Sequence, residues 1–132
     1  VRSQKMLKKI IESFEDLDVY QKLSELHLDI HKLTLTFPKF ELHELGSQLR
    51  RSSNSIPANL AEGWNNKHIN VYLEGINRAL WELRETKHPL SIAYKKRYFP
   101  EEVYSKYVER YNECGRMLKG LERSLEKQKF TT

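Results

Sequence analysis

One cysteine, Cys114, stands in 132 residues, so no intramolecular disulfide and no zinc site built on several thiolates can form. A lone thiol suits a reducing, cytoplasmic setting. Only four prolines and five glycines punctuate the chain, and no alternating apolar run is bounded by hairpin turn pairs, which leaves a β fold without support. No apolar run approaches the roughly 20 residues that cross a bilayer, so no membrane partner is expected. The stretch from Val1 to Phe14 is basic, yet it has neither the apolar centre nor the small-residue cleavage site of a signal peptide.

Catalytic and metal-binding patterns are equally thin. A di-iron bundle needs two Glu-x-x-His pairs and two further glutamates; Glu85 and His88 form the single such pair, and Pro89 follows it. His27 and His31 are spaced for a shared metal, but no third ligand lies nearby. Arg84 and His88 stand too close for the arginine–histidine pair of helical ribonucleases. There is no glycine-rich phosphate loop and no Ser-His-Asp order. The expectation is a protein that is not an enzyme and carries no cofactor.

What the sequence does have is charge and helical rhythm. Charged residues make up 31% of it, with a formal net charge of +5, so polyanions such as RNA, DNA or acidic headgroups are plausible partners. Apolar residues recur at steps of three and four in four stretches. The first, from Glu15 to Thr36, carries Leu17, Tyr20, Leu23, Leu26, Ile30, Leu33 and Phe37, and Pro38 ends it. The second opens near Phe40 and carries Leu42, Leu45, Leu49, Ser53, Ile56, Leu60 and Trp64, with Gly63 or Asn65 and Asn66 as its stop and a kink expected at Pro57. The third, His68 to Arg97, carries Ile69, Leu73, Ile76, Leu80, Leu83, Leu90 and Tyr94, with a bend expected at Pro89. The fourth starts at Pro100, ahead of Glu101 and Glu102 at the positive end of the helix dipole, and carries Val103, Tyr107, Tyr111, Cys114, Leu118, Leu121 and Leu125. Short connections between long amphipathic helices predict an all-α, antiparallel up-down-up-down four-helix bundle. Residues 14–130 form that domain, and residues 1–13 read as a separate basic extension.

Two surfaces stand out. Arg51, Ser52, Ser55, Asn59 and Glu62 form a second stripe on the second helix, about 120° from the apolar one. Serine and asparagine are mediocre helix formers, and small polar residues at helical spacing let another helix approach and hydrogen-bond. The stripe is therefore expected to make a contact, within the bundle or between subunits. Trp81 lies about 140° from its helix's apolar centre and reads as an interface anchor. The other surface is basic. Arg116, Lys119, Arg123 and Lys127 fall within about 80° on the fourth helix; Arg84, Lys87, Lys95, Lys96 and Arg97 add cations from the third. These are the candidate nucleic-acid contacts, through phosphate rather than base readout. The alternative is a solvated face on which Glu122 and Glu126 pair locally.

The segment SQLRRSSNSIPANLAEG, preceded by FEDLDVYQKLSELHLDIHKLTLTFP, resembles the 23S rRNA intervening-sequence protein family. Its most specific part is Gln48-Leu49-Arg50-Arg51, Ser55-Ile56 and Asn59-Leu60-Ala61-Glu62-Gly63, and the likeness runs from Phe14 to Glu126. The resemblance implies a bacterial four-helix-bundle protein assembled as a ring-like homopentamer. Members of this kind include accessory proteins of diversity-generating retroelements, which bind nucleic acid and a reverse transcriptase. It thus implies RNA binding by the basic surfaces or, alternatively, a protein-interaction adaptor that holds a reverse transcriptase without touching nucleic acid.

Overall fold

Ser13 opens the helical part of the chain. Its Oγ accepts from the Glu15 N–H at 3.2 Å, and the Asp16 carboxylate accepts from the N–H groups of Ser13 at 3.1 Å and Glu12 at 2.9 Å. This capping box satisfies donors that a helix start leaves unpaired. The computed structural model describes residues 10–131, so residues 1–9 of the basic extension lie outside the described residues. A single 3-10 turn, Phe14–Asp16, leads into α1 (Asp18–Thr34); a second, Lys39–Glu41, precedes α2 (Leu45–Gly63); α3 (Ile69–Lys95) and α4 (Glu101–Thr131) complete the order. The described residues contain no strand. Each helix packs on its neighbours in sequence, α2 on α3 most extensively, and α4 returns to α1. This is the up-down-up-down four-helix bundle that the periodicity predicts.

The predicted stripes form its core. Leu23, Leu26 and Ile30 of α1, Leu49, Ile56 and Leu60 of α2, Ile76 and Leu90 of α3, and Tyr111 and Leu118 of α4 are fully buried. Burying each aliphatic side chain contributes about 2 kcal/mol. Pro57 and Pro89 both sit buried inside helices that continue through them. One boundary differs from expectation: α2 begins at Leu45 rather than near Phe40, and Leu42 is exposed, outside the stripe. The reason lies in the tertiary structure. The Glu41 side chain is buried, accepting hydrogen bonds from Lys96 Nζ at 2.8 Å and from the Tyr98 hydroxyl at 2.7 Å. Arg50 donates to the Leu42 carbonyl at 2.5 Å and to Thr34 Oγ1 at 2.8 Å. Together these hold residues 39–44 in a loop against the end of α3.

That end is itself sharply defined. The Tyr98 N–H reaches the Ala93 carbonyl at 3.1 Å and the Arg97 N–H the Tyr94 carbonyl at 2.8 Å, the two bonds of a Schellman cap. The cap puts Arg97 in the left-handed region, with φ of 66°, where glycine is the usual occupant and another side chain costs about 1 kcal/mol. At the opposite end of the bundle, α2 and α3 come together through bare backbone. A Cβ placed on Gly75 would lie 2.9 Å from the Asn59 carbonyl oxygen and 3.1 Å from Gly63 Cα. The α1–α4 seam is closed at its surface by Lys22–Glu113 at 3.2 Å and Arg110–Asp29 at 3.0 Å.

Candidate nucleic-acid interface

The basic residues of α3 and α4 meet across the groove between these helices. Lys87 Nζ donates to Asn112 Oδ1. Burial, and then the nearby Lys119 ammonium, hold the Lys87 amine below its ordinary value. Two cations from different helices therefore share one electrostatic neighbourhood, as packing of α3 on α4 requires. From Asn112, one exposed stripe of α4 continues through Arg116, Lys119, Arg123 and Lys127, at the three- and four-residue steps that keep side chains on one face. Arg84 and Lys95 are exposed on α3, and Arg97 is exposed just beyond it.

Among the described residues, Arg84, Lys95, Arg97, Arg116, Lys119, Arg123 and Lys127 form no ion pair. The local pairing with Glu122 and Glu126 is thus not seen, and the charges stay available to an external anion. Lys96 is different. Its ammonium is paired to buried Glu41 and lies 6.0 Å from the centre of the Tyr98 ring. The Glu41 carboxylate raises the Lys96 amine above its ordinary value, while the bonds from Lys96 and Tyr98 lower the Glu41 carboxyl. In sequence, Lys96 looks like its neighbours; in the fold it joins the end of α3 to the loop before α2.

The residues of the second predicted surface lie along the α2–α3 pair. Gln48, Arg51, Ser52 and Ser55 of α2 line one hollow with Trp81, Glu82 and Glu85 of α3. Farther along the same helix pair, Asn59 and Glu62 line a second hollow with Gly63, Val71, Glu74, Gly75 and Arg78. Trp81 is 57% exposed. Ser55 Oγ donates to the Arg51 carbonyl at 2.9 Å and Asn59 Nδ2 to the Ser55 carbonyl at 2.8 Å. The small polar side chains thus turn back on their own helix, and the intimate contact with α3 falls to the glycines beside them. Sequence reading missed Gly75 and Asn112. The signal for Asn112 was its place four residues before Arg116 on the cationic stripe.

No group of three metal-ligating side chains occurs among the described residues. His27 Nδ1 lies 2.8 Å from Ser53 Oγ, but Ser53 is fully buried and out of reach of a substrate. Burial, reinforced by His31, lowers the His27 value and favours a neutral ring. No helix among the described residues is long and apolar enough to cross a membrane.

The model of the family described as 23S rRNA-intervening sequence protein matches residues 15–120. The chain belongs to that family. Among solved structures, it is similar to a protein of unknown function from the S23 ribosomal protein family of Bacteroides thetaiotaomicron VPI-5482, with 26% identity and a TM-score of 0.68 over 79% of this chain and 97% of that one. No curated protein matches it. In this intervening-sequence family member, both the cationic α3–α4 edge and the hollowed α2–α3 face lie almost wholly within the matched residues; Arg123 and Lys127 extend the edge beyond them.

Proposed function

We propose that the protein is a non-enzymatic, self-assembling four-helix bundle that docks structured RNA along its α3–α4 edge. The observation that carries this reading is the stripe of cations that form no ion pair among the described residues, with Lys119 close enough to Lys87 to be felt electrostatically where the two helices pack. Phosphate attraction over a rigid face supplies affinity with little base readout. Self-assembly rests on the other face: exposed Trp81 beside the hollow formed by Arg51, Ser52 and Ser55. A ring-like homopentamer, as the family resemblance implies, would repeat the cationic edge in every subunit and raise avidity for an extended polyanion.

The test is fluorescence anisotropy with a labelled RNA hairpin across a salt series, with assembly mass followed by light scattering. Log affinity should fall linearly with log salt at constant mass. Replacing Lys119 and Arg123 by glutamine should flatten that slope by about one unit for each phosphate no longer engaged. Absence of binding even at low salt would overturn the reading and leave the adaptor function, in which the assembly holds a reverse transcriptase or another protein.

A further inference from the structure

The end of α3 carries a feature that phosphate docking alone leaves unused. Tyr94, Lys95, Arg97, Tyr98, Phe99 and Pro100 line one open hollow. Its base is aromatic. Phe99 is buried, and the Tyr94 ring stacks in parallel on Tyr104 of α4 at 4.6 Å between centres. Tyr94, Tyr98 and Tyr104 remain partly exposed. The rim carries Lys95 and Arg97, both exposed and without an ion pair among the described residues. Arg97 occupies the left-handed cap position, where glycine would be relaxed. The strain is local, and its product is a guanidinium at the mouth of an aromatic hollow.

We propose that this hollow receives a nucleotide of single-stranded RNA, its base against the tyrosine rings and its phosphate on Lys95 and Arg97; the inference rests on the RNA-docking reading and adds strand selectivity to it. Aromatic faces accept any base, and only an unpaired strand can present one, because a duplex keeps its bases stacked inside. The first turn of α4 carries Glu101 and Glu102, which places the anion on the α3 side of the hollow. Tyr104 also lines a neighbouring hollow with Ser105, Val108, Glu109, Asn112 and Arg116, so a strand held here reaches the cationic stripe past a single carboxylate, that of Glu109. From Tyr104 to Lys127 the whole path runs about 35 Å along the helix.

Arg97→Gly tests this without endangering the fold, since glycine suits the cap. Binding of a labelled oligouridine single strand and of an RNA duplex of equal length would be compared. The variant should melt higher than the parent yet bind the single strand about fivefold more weakly, with the salt slope reduced by about 0.7. Its duplex binding should weaken less, because a duplex loses one of many phosphate contacts whereas the single strand loses the phosphate clamp of the hollow. Tyr94→Phe should keep single-strand affinity and Tyr94→Leu should weaken it about tenfold. Unchanged single-strand affinity in Arg97→Gly, or equal weakening for strand and duplex, overturns the proposal. The RNA-docking reading survives that result if the Lys119 and Arg123 glutamine variant still weakens both ligands. If the parent binds neither ligand, both readings fall.

Discussion

Tyr111 places a hydroxyl in the core with no hydrogen-bond partner among the described residues, and burial drives its ionisation far above the ordinary range. An orphaned buried hydroxyl is a net cost. Tyr111→Phe should therefore stabilise the bundle by about 1 kcal/mol, read as a higher urea midpoint with an unchanged m-value; destabilisation of similar size would show that the hydroxyl is satisfied. Beside it, burial pushes the Cys114 thiol up to about 11, so it should stay unreactive to a thiol reagent at neutral pH until the chain unfolds. A carboxylate and an imidazole both contribute to the acid side of stability. Hydrogen bonds from Lys96 and Tyr98 hold the folded Glu41 value below the unfolded one, so its contribution is present above the ordinary value and is lost as pH falls through the folded one. Urea midpoints should show Glu41→Gln less stable than the parent at pH 7, with the gap closing on acidification; a gap constant down to pH 3 would refute the linkage. His27 acts in the same direction nearer neutrality, because its folded value lies below its unfolded one: its share is full above the ordinary histidine range and declines as pH falls through the folded value. The partner cation behaves oppositely. With its folded value raised, the Lys96 contribution persists through neutral pH and disappears only as pH climbs past that value.

At the scale of elements, the α2–α3 contact makes the sharpest forecast. A methyl group on Gly75 would press into the backbone of Asn59 and Gly63, so Gly75→Ala should destabilise by about 2 kcal/mol. Gly120 has only the Arg123 side chain within reach, at 3.9 Å, so Gly120→Ala should stabilise by about 0.5–1 kcal/mol through helix propensity. Equal effects at the two sites would remove the case for close helix approach. The helices themselves were legible in the sequence because each carries an unbroken apolar stripe, and even Ser53 holds its place in phase and is buried. The start of α2 was not legible: Glu41 is drawn into the structure by Lys96, 55 residues away in the chain, and no local pattern announces such a partner. The cationic and small-residue stripes could be read as faces, but the side chains they would meet across a groove could not. Nor could Lys96 be told from Lys95 and Arg97, since the cap that sorts the three is backbone geometry.

For the whole molecule, the cationic stripe lies along α4 at the α3–α4 edge, and exposed Trp81 lies on the α2–α3 side. Trp81→Ala should lower the assembly mass measured by light scattering while leaving the helical circular-dichroism signal intact; an unchanged mass would count against Trp81 as an interface anchor. The helices also differ in reach: α1 has 17 residues and α4 has 31, about 25 Å against 46 Å. The Gly63–Gly75 contact has one more consequence, for the order in which the chain assembles. It joins two long helices across a connection of five residues, 64–68, so it closes a small loop at low entropic cost. Contacts of this kind form before distant ones. The α2–α3 hairpin should then nucleate folding, and the α1–α4 seam, whose partners are farthest apart in the chain, should close last. Gly75→Ala should accordingly slow refolding, whereas breaking the Lys22–Glu113 pair should chiefly speed unfolding.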